Sequence, residues 1–558
     1  MSTLPKHTIR FALVALCMFW GSYAFAFGSH VLDDTEILPE ELQGALASEM
    51  PSIYYEGHVL LFQWQVHEAE TRFVERAEKE ANDNPEAAYF LAHYWFMRSE
   101  YEKARGYMDL AGGKAPGVSA KFEPFLEAGL AYAADYQRVT KEHFEFRFPP
   151  GIDSVLVPYA DATLEAAYNA LGDDLGLKPK ERIIVEFVPS AEALSALTGL
   201  PVEAIKTTGI IAICKFNRLI VTTPRVTVMG YQWRDTVSHE YVHLVITQKS
   251  LNHVPIWLHE GIARFQETRW RLQPDPPLDI HAETLLAKAL RTKHFITLQQ
   301  MHPSIAYLPS QEDGALAYAE AATIIKYLYR KKGGYKNIRR LLSTLAENDD
   351  MDRALKTVYG FDLNGLQTAW MRFLPRLGLR ERAVTSGLDV AYKNDSAAAP
   401  KNEENMSPDE VDKWLEGKKA AKYFKVGKLL KDRGRHKAAL VEFEKARQLE
   451  GSKNPMLQNI IADGLLREKR YEDVLKALTP LLDLYSGPAM TYYNLGRAHM
   501  ELGQVDKAIE HFMNTISINP FDPRSHLFLA TIYRQQKKGE LALQEQNIYN
   551  KLSEYLTR

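Results

Sequence analysis

The sequence holds almost no cysteine: two in 558 residues, Cys17 and Cys214. A disulfide framework is excluded, so stability has to come from packing. An excess of one charge is missing too. Lys and Arg number 68 against 71 Asp and Glu, a formal net charge of −3, and no global basic field points to nucleic acid or anionic lipid. Long apolar runs are absent except at the N-terminus, where "MSTLPKHTIRFALVALCMFWGSYAFAFGSH" sets Lys6 and Arg10 before an apolar stretch from Phe11 to Ala26. That stretch is short for a membrane span and ends in Ala24-Phe25-Ala26, a small-x-small cleavage pattern, so residues 1–26 read as a secretory signal peptide. A chain so marked is expected in the periplasm of a bacterial cell envelope, with membrane association only if the segment stays uncleaved. Cys17 follows Leu16, where a lipoprotein signal needs a small residue, and Cys214 in "GIIAIC" reads as an inert, buried strand residue.

What the chain does have is length for three or four domains, and a repeat. In the last third, small residues recur at Gly427, Ala462, Gly496 and Ala530, and their partners in a following helix at Ala439, Val474, Ala508 and Ala542, apart from Val474 also small. Both series are spaced by 35, 34 and 34 residues. The clearest copy is "TYYNLGRAHMELGQVDKAIEHFMNTISINP", which carries Leu495-Gly496, Ala508, Phe512 and Pro520 at the positions a tetratricopeptide repeat requires. A second array precedes the middle of the chain, where "AAYFLAHYWFMRSEYEKARGYMDLAGGKAP" places Ala92, Ala104, Ala111 and Pro116 on the same template and Pro85 ends the unit before it.

Between the arrays the pattern changes. "HFEFRF", "RIIVEFV", "GIIAIC" and "NRLIVTT" are short β-branched and aromatic runs bounded by turn residues, with the helical "YADATLEAAYNALGDDLG" between the first two. After Thr223 helical periodicity returns through "YAEAATIIKYLYRKKGGYKNIRRLLSTL". The stretch around "KNDSAAAPKNEENMSPDE" is polar and proline-punctuated, hence a linker. The expected plan is a signal peptide at 1–26, helical repeats at 50–136, a strand-rich lobe and a helical lobe at 137–382, a linker at 383–415, and a helical array at 416–558.

The join of the two lobes reads "TVSHEYVHLVITQKSLNHVPIWLHEGIARFQE", residues 236–267, with four histidines and three glutamates. His239 and His243, four residues apart, share one face of a helix and can present two imidazoles to one metal ion, with Glu240 adjacent to act on a water. A catalytic zinc takes three protein ligands and keeps a fourth position open. Glu260 supplies the third, after 16 intervening residues that include a turn at "SLNHVP" and a helix opened by Pro255. Gly261 and Ala263 are expected to let the second helix sit close to the first. Glu267, two turns beyond Glu260, is positioned to accept a hydrogen bond from the distal nitrogen of a ligand histidine.

H-E-x-x-H followed by W-L-x-E-G-x-A-x-x-x-E resembles the gluzincins, which include thermolysin-like and aminopeptidase N-like enzymes, and most closely the peptidase MA-like proteins of bacteria. The resemblance covers about residues 140–380. It implies an α+β two-lobe metallopeptidase domain between all-α tetratricopeptide-repeat arrays, with Zn2+ held by His239, His243 and Glu260 and with Glu240 as general base. It also implies an oxyanion-stabilising tyrosine on a later helix, and "AYAEAATIIKYL" makes Tyr318 that residue. The chain departs from the aminopeptidase N-like pattern in a slightly shorter spacing to Glu260 and in lacking a G-x-M-E-N-like motif. "GIIAIC" and "NRLIVTT" carry no acidic residue to capture a free N-terminus, so endopeptidase action on an extended peptide paired to an edge strand is expected.

Other features read more plainly. His253 falls in the connecting loop and His259 is expected to point about 100° away from the metal, so neither is assigned a role. The basic "KKAAKYFKVGKLLKDRGRHK" has amphipathic spacing inside a repeat and reads as a solvated helix face, not a nucleic-acid stripe. The expected partners are a protein or peptide substrate and a protein recruited by the repeats. The alternative is a repeat scaffold or chaperone of the cell envelope whose peptidase-like domain holds a substrate but turns it over slowly or not at all.

Overall fold

In a computed structural model of the chain, the described residues run from 53 to 557 apart from 113–121, 228–229, 302–304, 306–307, 332, 383–410, 412–414, 451–453, 483 and 485–488. The expected signal peptide and nearly all of the expected linker lie outside the described residues. Among those described, no helix is long and apolar enough to cross a membrane.

The described residues begin with α1 (Tyr54–Phe62), α2 (Val66–Ala69), a π turn (Glu70–Val74), α3 (Glu75–Glu80), α4 (Pro85–Met97), α5 (Tyr101–Leu110) and α6 (Glu123–Ala133). Pro85, expected at the end of a unit, instead opens α4, where its missing N–H costs nothing and the Asn84 side chain accepts the N–H groups of Glu86 and Ala87.

A five-stranded sheet follows, in the order β1-β2-β3-β5-β4. Its strands are β1 (Gln137–Thr140), β2 (Phe144–Phe148), β3 (Ile183–Val188), β4 (Ala212–Lys215) and β5 (Arg218–Thr222). β2, β3 and β5 run parallel, while β1 and β4 are antiparallel edges. The crossover from β2 to β3 is α7 (Val157–Leu175), and that from β3 to β4 is the pair α8 (Ala191–Thr198) and α9 (Val202–Thr208). Every residue of β3 and β5 is buried, which accounts for their nearly unbroken apolar sequences.

The exceptions in these strands anchor the N-terminal array. Arg218 of β5 and Glu186 of β3 are fully buried, 3.5 Å apart, and Glu186 accepts the hydroxyl of Tyr101 at 3.0 Å. Arg218 also donates to the Ser99 hydroxyl at 2.7 Å, and Arg147 of β2 donates to the carbonyl of Ser99 and, at 2.9 Å, to Glu100. The β4–β5 turn is a two-residue loop with Phe216 and Asn217 both at positive φ. Phe216 is costly there, and it is held by edge-on packing on Phe96 of α4 and by Phe125 of α6.

The helical lobe comprises α10 (Trp233–Ser250), α11 (Ile256–Gln266), α12 (Ile280–Thr292), α13 (Gln311–Arg330), α14 (Gly334–Glu347), α15 (Met351–Tyr359) and α16 (Leu363–Phe373). The C-terminal array is four helix pairs: α17 (Ala421–Asp432) with α18 (His436–Glu450), α19 (Pro455–Arg467) with α20 (Tyr471–Leu482), α21 (Ala489–Glu501) with α22 (Val505–Ile518), and α23 (Pro523–Gln535) with α24 (Gly539–Thr557). A Cβ on Gly427 or Gly496 would meet the ring of Phe443 or Phe512 of the paired helix, so the small residue of the repeat is what admits the aromatic one. The four pairs do not share one core. α17 to α20 pack with Val411, Leu415 and, from α21, Leu495 and Ala498 as a separate cluster, whereas Tyr493 of α21, Phe512, Ile516, Leu529, Ile532 and Leu552 belong to the same core as the sheet and α10.

Candidate metal centre

α10 lies against α7, α11, α14 and the edge strand β4. Ser250 closes it, and Leu251 and Asn252 turn the chain through the left-handed region, with the Asn252 N–H donated to the Thr247 carbonyl at 3.0 Å. Pro255 caps α11, which returns against α10 and carries Glu260 back to the two histidines. The tightest approach at Gly261 is to α13: a Cβ there would run into the carbonyl of Ala321 and the side chain of Ile325. The close approach that this glycine permits is the one that sets Tyr318 of α13, a turn before Ala321, beside the site.

His239, His243 and Glu260 each aim one ligand atom at a common point, all within 4.8 Å of one another. The Nε2 atoms of His239 and His243 are 3.1 Å apart, and each is 3.6 Å from Oε2 of Glu260. Tetrahedral ligands about 2.0–2.1 Å from a zinc stand roughly 3.3 Å from each other, so the triangle has the size of a zinc face. Both carboxylate oxygens of Glu260 are buried without a hydrogen-bond donor. Two imidazole nitrogens and an unpartnered buried carboxylate in one place are unfavourable unless a cation occupies the point between them, and the residues fit a divalent metal.

The outer nitrogens explain why the inner ones are free to ligate. Nδ1 of His239 donates to Oε2 of Glu267 at 3.1 Å, and Arg264 holds that carboxylate at 2.9 Å. Burial pushes the Glu267 carboxyl up, but Arg264 and His239 outweigh it and hold the group below its usual value. Nδ1 of His243 stands 2.6 Å from Nδ1 of His259, whose Nε2 lies 3.2 Å from the Thr247 hydroxyl. His243 donates to His259 and His259 to Thr247, leaving Nε2 of His243 unprotonated.

His259 was expected to be a bystander, and the structure corrects that reading. It does turn away from the metal point, but on an antiparallel helix the residue just before Glu260 meets the back of the other helix's histidine. His259 is 1% exposed, too deep for a surface role. His253 has a separate contact, Nδ1 with the carbonyl of Leu345 at 3.2 Å, and takes no part in the centre.

Glu240 is buried beside the triangle. Burial pushes its carboxyl up to about 7; Glu260 adds to the rise, while His239 and the N–H of Cys214 pull against it. That N–H comes from β4. Thr222 donates to the Ile211 carbonyl at 2.7 Å, which makes Ile211 and Thr222 a hydrogen-bonded pair and, by alternation, turns the Ala212 and Cys214 backbone away from β5. The outward edge of β4 therefore faces Glu240. The Cys214 thiol is fully buried and pushed well up by burial, so no reactive thiolate competes at the site. Tyr318 is half-buried, and burial, with the charges of Glu260 and Glu240, raises its hydroxyl well above the usual range, which keeps it a hydrogen-bond donor.

Residues 162–376 match the model of the Peptidase MA superfamily, and residues 54–118 and 489–522 match tetratricopeptide-repeat models. The chain carries a peptidase MA superfamily domain flanked by tetratricopeptide repeats. The peptidase domain thus contains the whole triangle of His239, His243 and Glu260, with repeats of a protein-interaction class on either side. No curated protein matches the chain. Solved structures similar to it include "MamA 41-end from Desulfovibrio magneticus RS-1", 22% identical, covering 27% of this chain and 87% of that one at a TM-score of 0.23. The crystal structure of the APC/C hetero-tetramer Cut9-Hcn1 is 13% identical over 91% of this chain and 81% of that one, at a TM-score of 0.24. Scores this low carry no argument about fold or function.

Proposed function

We propose that the protein is an exported zinc metallopeptidase that cleaves internal peptide bonds in substrates recruited by its repeats. The observation that carries this is the triangle of two Nε2 atoms and the unpartnered Glu260 carboxylate, with edges of 3.1 and 3.6 Å. Zinc held there by His239, His243 and Glu260 would supply a Lewis acid for the scissile carbonyl. Glu240, buried beside the triangle, takes a proton from the attacking water and returns it to the leaving amine. Tyr318 donates to the oxygen that gains charge in the tetrahedral state. The outward-facing backbone of Ala212 and the carbonyl of Cys214 offer an extended peptide a strand to pair with, and β4 and β5 carry no acidic side chain that would select a free N-terminus.

Export to the periplasm is supported by the basic-then-apolar sequence of residues 1–26. The test is metal analysis of the purified protein together with hydrolysis of a casein-like substrate. One zinc per chain in both the unaltered protein and Glu240→Gln is expected, with hydrolysis lost only in the variant. No bound zinc, or hydrolysis unchanged by Glu240→Gln, overturns the proposal.

A further inference from the structure

The metal-binding helix begins on the C-terminal array. Trp233, the first residue of α10, lies six positions before His239 and is fully buried. Its indole N–H donates to the carbonyl of Ile516 at 2.9 Å. That carbonyl sits in the last turn of α22, where the helical donor four residues on would be Pro520, which has no N–H. The proline that ends the repeat thus leaves an acceptor open, and α10 fills it. The Tyr231 N–H is donated to the Ile518 carbonyl at 3.2 Å, and Gly230, at φ +79°, passes so close that a Cβ would collide with the same oxygen.

A second contact lies behind the first. The Tyr159 hydroxyl of α7 donates to the Glu545 carboxylate of α24 at 2.7 Å, and His526 of α23 joins that carboxylate through Nδ1 at 2.7 Å and the Pro520 carbonyl through Nε2 at 2.9 Å. All three side chains are buried. Of the C-terminal repeats described, the last two pairs contribute to the core of the sheet and α10, while α17 to α20 pack with Leu495 and Ala498 of α21 in a core of their own.

From this we infer that α21 to α24 are positioning elements of the metal centre: through Ile516, Ile518 and the Tyr159–His526–Glu545 cluster they fix the start of α10 and hence the geometry of His239 and His243. The inference rests on the metallopeptidase reading. Loosening either contact should shift the ligands without touching them.

Two single substitutions in the full chain test this. Trp233→Phe removes the donated indole N–H and keeps a ring, and Tyr159→Phe removes only the bridging hydroxyl. Each is expected to speed removal of zinc by a chelator roughly fivefold, the size of one lost buried hydrogen bond, and to change the visible spectrum of the cobalt-substituted protein. Phe443→Ala, which opens a cavity in the separate core of α17 to α20, should lower stability yet leave both readouts unmoved. Identical chelation rates and cobalt spectra in Trp233→Phe, Tyr159→Phe and the unaltered protein overturn the inference. So does a Phe443→Ala effect as large as theirs, which would mark a general loss of stability. If Trp233→Phe does not fold, Tyr159→Phe decides alone. If the unaltered protein takes up no metal, the metallopeptidase reading falls and this one with it, whereas metal uptake insensitive to both variants removes this one alone.

Discussion

The Nδ1 atoms of His243 and His259 stand 2.6 Å apart, both rings fully enclosed, with the Thr247 hydroxyl at the far nitrogen of His259. A relay of this form sets which nitrogen of His243 carries the proton, and its removal should be felt as lost metal affinity. His259→Leu is expected to weaken zinc binding about 10- to 100-fold, measured by competition with a chromophoric chelator. Unchanged affinity would mean that His243 keeps its tautomer without the relay.

Glu267 does the same for His239 with a charge in place of a neutral ring. Glu267→Gln keeps the shape but removes the charge shared with Arg264, and a fall in zinc affinity of at least about tenfold is expected. The same titration in Arg264→Gln should show a smaller loss, since that side chain acts only through Glu267.

Tyr318→Phe removes a donor to the oxyanion and leaves the metal triangle whole. The expected result is a fall in kcat of about a hundredfold with KM little changed. An equal rise in KM would place Tyr318 in ground-state binding of the peptide instead.

The spacing of His239, His243 and Glu260 was readable from the sequence because a helix has a fixed period and the second helix had to return. His259 was not, since its role depends on which faces of two antiparallel helices meet, a tertiary fact with no period of its own. Gly261 shows the same limit: its smallness is evident, but that its tightest neighbour is α13 depends on packing order. β1 was missed because "QRVT" is four mostly exposed residues on a sheet edge, with no apolar alternation to mark it. The 34-residue period marked the repeats, yet it could not reveal that the last two pairs contribute to the core of the sheet and α10.

Acid should loosen the N-terminal array. His58 and His93 are buried with their Nδ1 atoms 3.0 Å apart, and burial pulls His58 down to about 3 and His93 well below its usual value. Between the unfolded value near 6.5 and these folded values, the unfolded chain binds more protons, so stability falls as pH drops through that window. The slope is about 1.4 kcal/mol per pH unit for each ring. The protection factors of the amides in α1 and α4, that is, exchange corrected for the pH dependence of the intrinsic rate, should therefore fall from pH 7 to pH 5, and His58→Phe combined with His93→Phe should flatten the trend. Protection factors that do not change with pH in the unaltered protein would contradict it.

The shared core of the sheet, α10 and α21 to α24 also bears on how such a chain can be cut and recombined. A fragment ending at residue 376, where the matched peptidase region stops, would bare the apolar surface that Ile516, Ile532 and Leu552 now cover and leave Trp233 without its acceptor. Such a fragment is prone to aggregate. α17 to α20 are the part of the array that could be exchanged for another sequence while the rest stays folded, provided the new sequence covers Leu495 and Ala498 of α21.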